Sequence, residues 1–452
     1  MIKFQNCKLH LTLAAQSPMI HFQGDSEGVT LRGSELKPKL DRFLNGKINE
    51  LDEKGEIDKR KVAYIDKDRD ALKYKVTIQG SEIRSSYLLS ENKNGYTIVY
   101  GDRKKTILLR DFELTILCMN RVLQELIEKY LVEFFAVTNF GYMQNKGFGS
   151  FMPKEYVQDT KPDQIKKDVS KWLKKKCKAQ NCYYMDFSWD NNYKKKGNAA
   201  SYDFFFKEIK DFYDLLKTGR NLTTGRRPEG YSRAYIYQYM HLKGLDNEKL
   251  WMKTKGIAPA LEKIEDGSRV IVENKKKDDI QNAKYMRALL GIGPKVEYLN
   301  ACDGKNFSEK VLVKINAREK DIERMDSPIF FKIINNFVFI CAERIPEKIY
   351  GKMFTFSGEV RRPKYAATQC DSLGIKNGKK GALPVPTENE LKRIGFTIDD
   401  LLEHYVRYYN GEEAGEKKTE RLRPAEKLLG IQPSYAIPRK LNGNKYVKKC
   451  EV

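Results

Sequence analysis

An α+β fold is predicted for this chain of 452 residues, and three observations predict it. Residues 8–22 alternate, with Leu9, Leu11 and Leu13 on one face and His10 and Thr12 on the other, which is the period of a strand. Residues 114–137 place Leu117, Val122, Leu126, Ile127, Tyr130, Leu131 and Phe134 at helical spacing. Around these the elements come in the order strand, helix, strands, helix, glycine loop, strand. That order is a βαββαβ, ferredoxin-like plan with hairpin insertions. Its sheet is antiparallel, so the helices cover one face and leave the other free for a ligand.

Pro18 interrupts the first strand, which continues as Met19-Ile20-His21-Phe22 before a polar loop at 23–28. Residues 31–44 predict a short helix, with Ser34 as N-cap and Leu36, Leu40, Phe43 and Leu44 as its apolar stripe. Residues 45–60 read as a charged connector. Strands are expected at 61–66, 72–79 and 83–89, then a hairpin joins 96–100 to 106–109 across Gly101-Asp-Arg-Lys-Lys. The helix at 114–137 and a glycine loop close the unit, with 148–152 as its last strand.

Residues 153–200 change character. Lysines crowd 166–178 and 194–196, around Trp172, Tyr183, Tyr184 and Trp189. The plain reading is a solvated helix over 162–178 with a lysine face; the functional one is a positive surface beside stacking rings. A second unit is expected over 182–360. It has helices at 204–216, 235–241 and 249–264, a short amphipathic segment from Lys284 to Gly291, and strands at 310–316 and 327–334. Asn335-Asn336 then turns the chain into a strand at 337–342. A link rich in Pro, Gly and Lys at 361–386 precedes a last helix at 387–409, and a basic, partly ordered tail follows from 411. The domains therefore read as 1–155, a basic connector at 156–181, a second domain at 182–360, and a C-terminal helix and tail at 361–452.

The charge is the compositional outlier: 84 Lys and Arg face 61 Asp and Glu, a net +23. Such an excess favours a polyanionic partner, nucleic acid first, over plain solubility charge. A membrane partner is disfavoured, because no basic amphipathic helix with a clean apolar face stands out. No stretch approaches the roughly 20 apolar residues that span a bilayer, and residues 1–18 read as a strand rather than a signal peptide. The eight cysteines, at 7, 118, 177, 182, 302, 341, 370 and 450, are dispersed and form no Cys-x-x-Cys. Reduced thiols, a cytoplasmic location and no metal site are the expectation. No cofactor is expected either, since no phosphate loop of Walker type, His/Asp cluster or nucleophile elbow occurs.

Gly141-Tyr-Met-Gln-Asn-Lys-Gly-Phe-Gly-Ser-Phe151 follows the long apolar helix directly. Glycines let backbone N–H groups approach phosphates, Lys146 supplies charge, and Phe148 or Phe151 offers a stacking face. A helix end with a tight turn into a strand is the plainer reading.

Three strings carry a resemblance. Ser17-Pro18-Met19 is followed by Leu31-Arg-Gly-Ser-Glu-Leu-Lys-Pro-Lys-Leu-Asp-Arg-Phe43; Asn145-Lys-Gly-Phe-Gly-Ser-Phe151 follows a long helix; and Tyr285-Met-Arg-Ala-Leu-Leu-Gly291 is accompanied by Met325-Asp-Ser-Pro-Ile-Phe-Phe-Lys332. In their order and spacing the chain resembles the RAMP superfamily, the RNA-binding subunits of CRISPR effector complexes, and most the two-domain members of the Cmr (type III-B) branch. Met143-Gln-Asn145 departs from that pattern, standing where many members carry further glycines or arginines.

The resemblance implies two ferredoxin-like (RRM-like) domains. It implies a subunit that grips guide RNA, or the guide–target RNA duplex, beside other subunits of a CRISPR effector complex in antiviral defence. The implied RNA contacts are Arg32, Lys37, Lys39 and Arg42 near the first helix, Lys146, Gly147, Phe148 and Gly149 in the loop, and Arg287. Arg42 also reads as an ordinary solvated helix residue, and Arg287 as a salt-bridge partner in the core.

Some backbone subunits of such complexes cut target RNA with an aspartate after the first strand. Asp25 occupies that loop, but beside Ser26, Glu27 and Gly28 it reads first as a turn residue. His21 is the candidate base for the alternative function, a metal-independent endoribonuclease that processes guide RNA. The four histidines, at 10, 21, 241 and 404, have no Ser, Tyr or Lys at a spacing that predicts contact. Binding without catalysis is the expectation.

Overall fold

A computed structural model describes residues 2–20, 31–88, 106–187, 200–224, 227–232, 234–245, 248–251, 283–292, 296–299, 312–322, 324–361, 368–370, 382–412 and 447–450. The expected hairpin strand at 96–100 and the polar loop at 23–28 lie outside these residues. The chain forms two compact units, Met1–Lys210 with Ile329–Glu343 and Tyr446–Val452, and Asp211–Pro328 with Arg344–Lys445. The architecture is α+β, with antiparallel sheets.

In the first unit the elements that frame the loop are β1 (Lys8–Ala15), α1 (Gly33–Glu53), β2 (Lys75–Leu88), β3 (Thr106–Leu117), α2 (Arg121–Val137) and β4 (Phe151–Pro153). The sheet order is β2-β3-β1-β4, every pair antiparallel. Leu9, Leu11 and Leu13 of β1 are buried, and the core continues through Leu36, Leu40, Leu44 and Ile48 of α1 and Leu123, Ile127, Leu131 and Phe134 of α2. The opposite face is polar. Lys8, His10, Lys75, Thr77 and Gln79 are exposed there, and Thr12 donates to Glu113 at 2.9 Å.

Several boundaries differ from the sequence reading, each for a local reason. α1 runs on to Glu53 because Ile48 and Leu51 extend the apolar stripe through the charged residues taken as a connector. Its N-cap is Arg32, with no side-chain cap bond, and Ser34 lies inside the helix. The residues from Leu114 to Leu117 belong to β3, where Leu114 and Ile116 point into the core. The helix starts at Arg121, since the Asn120 side chain accepts from the Leu123 N–H at 2.9 Å. β2 is one strand with bulges rather than two, and the last strand begins at Phe151, not at residue 148.

A second sheet belongs to the same unit. It contains β5 (Cys182–Asp186), β6 (Ile329–Ile334), β7 (Phe337–Ala342) and β8 (Val447–Lys449), in the order β6-β7-β5-β8, all antiparallel. The expected turn at Asn335-Asn336 joins β6 and β7, and Asn335 takes the left-handed conformation, φ +50°. Both strands are buried along their whole length. α3 (Pro162–Cys177) buries Ile165, Val169, Leu173 and Cys177 and turns its lysines outward.

In the second unit Val296–Leu299, Leu312–Arg318, Met353–Arg361 and Thr368–Cys370 form successive antiparallel strands, with Ala382–Pro384 also on Met353–Arg361. Two of these strands fall within the link at 361–386. The helix expected at 387–409 is two helices, Glu388–Arg393 and Ile398–Tyr409, separated at Gly395 with φ +62°. Tyr405, fully buried, donates to the Phe212 carbonyl at 2.5 Å. Of the helix expected at 249–264, Glu248–Trp251 is described and the rest lies outside the described residues.

Candidate nucleic-acid interface

The glycine loop begins where Thr138 turns extended and ends α2. Gly141, Gly147 and Gly149 all have positive φ. At Gly149 the geometry admits no side chain, because a Cβ would fall 1.9 Å from the Phe140 carbonyl oxygen. At Gly141 a Cβ would stand 2.4 Å from the Ile20 carbonyl oxygen. The amide donors of these glycines point inward. Gly141 N donates to Glu35 Oε1 at 2.7 Å, Gly147 N to Gln144 O at 3.1 Å, and Gly149 N to Pro18 O at 2.8 Å. A phosphate would have to displace one of these bonds to be cradled there.

The aromatic and the lysine of the loop also face protein. Phe148 is fully buried, its ring stacked on Phe206 with centroids 3.8 Å apart and 8° between planes. Lys146 has a buried amine 5.9 Å from the Phe331 ring centroid. Its backbone forms a parallel bridge to Phe331, and Phe331 N donates to Asn145 O at 3.1 Å. Asn139 adds bonds from Nδ2 to the Gln144 carbonyl, 2.7 Å, and the Phe331 carbonyl, 3.0 Å. Ser150 Oγ donates to Ile333 O at 2.6 Å. The loop thus seals the edge of β6, covering a strand whose backbone would otherwise lack partners.

The divergent string Met143-Gln-Asn145 has a place in this joint. Met143 is left-handed, φ +58°, and its carbonyl accepts from Lys146 N at 2.9 Å. Gln144 Oε1 accepts from Lys39 Nζ at 2.9 Å, and its Nε2 donates to Gly141 O at 2.8 Å.

The cations of α1 divide into two kinds. Lys37 is held by Asp41 at 2.6 Å and the Leu72 carbonyl at 3.0 Å. Lys39 donates to Glu35, to Gln144 and, at 2.9 Å, to the Asn139 carbonyl just past the end of α2. Burial lowers its amine, and the charges of Lys176 and Arg42 act in the same direction. Lys332 of β6 reaches the same end of α2. It is fully buried and donates to Thr138 O at 2.7 Å and Asn139 Oδ1 at 3.1 Å, with its amine pushed far down by burial and then by Lys176 and Lys39. These amines sit at the negative end of the α2 dipole, which favours them there.

Arg32 and Arg42, by contrast, are exposed. α3 adds exposed Lys167, Lys171 and Lys175, spaced by about one turn along one stripe, and the exposed Lys178 caps its end. Lys175 donates to Glu50 of α1 at 2.6 Å and so joins the two helices; together with Lys54 it holds that carboxyl down at about 2. Lys176 lies over the Phe330 ring at 3.6 Å and pairs with Glu343 at 2.9 Å. The α3 lysines, read from sequence mainly as a solvated face, are exposed cations on a helix that the Lys175–Glu50 bond ties to α1. Over Lys8, His10, Thr12, Lys75, Thr77, Gln79, Glu113 and Thr115 the open face of the first sheet is polar.

Arg287, in the second unit, is 4% exposed and bonded through Nε to Glu248 at 2.5 Å, a carboxylate that also accepts from Tyr237 at 2.9 Å. The reading of Arg287 as a core salt-bridge partner describes this geometry. His21 and Asp25 lie outside the described residues. Among the described residues no group of three or more His, Cys, Asp or Glu could hold a metal ion. No helix among them is long and apolar enough to cross a membrane.

Comparison with known proteins agrees with the strings that the sequence carries. No curated protein matches the chain. The family profile of the Cmr1 N-terminal domain matches residues 6–220, and that of the Cmr1 C-terminal domain matches residues 231–428. The chain therefore belongs to the Cmr1 family, the RAMP-like subunits of the Cmr, type III-B, CRISPR complex.

Proposed function

We propose that this chain is an RNA-binding subunit of its complex, holding guide RNA or the guide–target duplex by the phosphate backbone. The observation that carries the reading is the set of exposed cations, Arg42 on α1 and Lys167, Lys171 and Lys175 on α3, two helices tied by the Lys175–Glu50 bond. Duplex RNA is recognised by shape and backbone, and its affinity rests on cations that replace counterions. Arg32, Arg42 and the α3 lysines are the contact set in this reading. Lys39, Lys146, Gly147, Phe148 and Gly149 form the scaffold that fixes where α1 and β6 lie, and Lys37 and Arg287 serve their own ion pairs.

We read the first sheet as a ferredoxin-like domain in support of this. Its βαββαβ element order, and the placing of β1 and β3 at its centre, fit that fold. Titrating a guide-length RNA and an RNA duplex into the full chain tests the binding. Affinity that is indifferent to sequence and falls with salt supports it; no affinity at low salt would leave a scaffold that meets only proteins. The same reading makes this subunit bind without cutting. Metal-free cleavage of repeat RNA that disappears in His21→Ala would overturn that part.

A further inference from the structure

Four of the six cysteines of the first unit, dispersed in sequence, meet on one face of the second sheet. Cys341 of β7 is the direct cross-strand partner of Cys182, the first residue of β5. On the other side of β5 the register Val447 to Met185, Lys448 to Tyr184 and Lys449 to Tyr183 continues to Cys450, whose N–H donates to the Cys182 carbonyl at 2.9 Å. Paired residues of antiparallel strands point to the same face, so Cys341, Cys182 and Cys450 form a row across three strands. Cys177, at the end of α3, meets Cys341 from above. All four are thiols, and between 0% and 7% exposed.

Two chemistries suit clustered thiols, a soft metal and a disulfide. A metal needs ligands around a point, and among the described residues no group of three or more can hold one. The thiols are instead linked as a chain, Cys177 to Cys341, Cys341 to Cys182, and Cys182 to Cys450. Cys341 is fully buried and donates to the Asn181 carbonyl at 3.6 Å. Cys450, at 7%, is the most exposed of the four. A hydrogen-bonded antiparallel pair holds its Cα atoms about 5.5 Å apart, inside the roughly 4.4–6.8 Å that a disulfide spans.

We propose that Cys182 and Cys450 are a peroxide-responsive thiol pair whose disulfide fastens β8 to β5. The neighbouring Cys182 side chain lowers the Cys450 pKa, against the effect of burial, with Ser170 and Lys174 of α3 adding to the lowering. Cys450, the most exposed of the four, is therefore the thiol that reacts first. Its sulfur attacks one peroxide oxygen, the O–O bond breaks, and the departing hydroxide takes up the proton lost by the thiol and leaves as water. The Cys182 sulfur then attacks the resulting sulfenic acid, the S–O bond breaks, and hydroxide leaves with the Cys182 proton as a second water. Two thiols lose two electrons and one hydrogen peroxide gains them.

The test treats the folded full chain with hydrogen peroxide, blocks remaining thiols with N-ethylmaleimide, and maps peptides by mass without reductant. One linked pair, Cys182–Cys450, is expected, two hydrogens lighter and reversed by dithiothreitol. It disappears in Cys450→Ser and persists in Cys118→Ser. In the wild-type chain, amide exchange of residues 447–449 should slow at least about tenfold on oxidation, as local opening becomes tied to a covalent link. A Cys182–Cys341 link, a Cys450 sulfinic acid with no link, or a link that forms only in urea would each overturn the proposal. Because the wild-type map alone decides among these outcomes, a variant that fails to fold does not blunt the test.

Discussion

The ring of Phe148 lies flat against that of Phe206, with centroids 3.8 Å apart and planes 8° from parallel. This stack turns inward one of the two loop phenyls read as a stacking face, Phe151 being buried as well, and makes the glycine loop a joint of the fold. Phe148→Ala should cost about 3–5 kcal/mol, the usual range for emptying a buried phenyl site. Denaturant unfolding measures it. A loss of under about 1 kcal/mol would mean that the stack does not hold the loop.

Gly149→Ala should destabilise by more than the roughly 1–2 kcal/mol that a left-handed alanine costs. The new Cβ has no room, since the Phe140 carbonyl oxygen would be 1.9 Å away and is backbone. Gly395→Ala makes the control, because it shares the positive φ but has open space around it. Equal melting temperatures for the two variants would contradict the close approach.

Arg287→Ala should cost about 3–5 kcal/mol by leaving Glu248 buried without its cation. Arg287→Met combined with Glu248→Leu should recover most of that loss, because removing both charges removes the desolvation cost as well. RNA affinity of the folded double variant should match the parent. A selective loss of affinity at full stability would return Arg287 to the RNA contacts.

Lys217 gives the second unit a pH dependence. Part of its stem is exposed, but its amine ends on the Gly291 carbonyl at 2.6 Å, and burial followed by the Arg287 charge pushes it from 10.5 down to about 7. Between those pH values the unfolded chain holds a proton that the folded chain has released, so stability rises with pH across the window. Below about 7 both states are charged and the cost of burying the ammonium is fully present. Stability curves of the wild type minus Lys217→Met should climb from neutral to alkaline pH. A flat difference would show that the amine keeps its proton in the fold.

Much of the first sheet was legible because its signals are periodic. Leu9, Leu11 and Leu13 alternate, the α2 stripe repeats every three or four residues, and Asn335-Asn336 marks its turn. The error at 114–117 has a physical source: Leu114 and Leu117 are three apart, as on one helix face, while Leu114 and Ile116 are two apart, as on one strand face, and the Asn120 cap decides between them. α1 was cut short because charge at 45–53 masked Ile48 and Leu51. β8 is three residues long and carries no period, so its pairing with β5, and with it the cysteine row, was invisible. Glycine at 141 and 149 announced positive φ, but no pattern told whether the freed N–H groups faced solvent or Glu35 and Pro18. The α3 lysines were visible as a stripe, while their junction with α1 depends on the Lys175–Glu50 contact across 125 positions.

The salt dependence of RNA binding tests the central claim most directly, with wild type compared against Arg42→Glu/Lys171→Glu. Each exposed cation that meets a phosphate adds roughly 0.7–0.9 to the slope of log affinity against log salt. The double variant should fold as the parent does, bind every RNA sequence more weakly, and show a slope smaller by about 1.4–1.8, two contacts' worth. Wild-type affinity and an unchanged slope in the double variant would contradict the account and move the RNA away from α1 and α3.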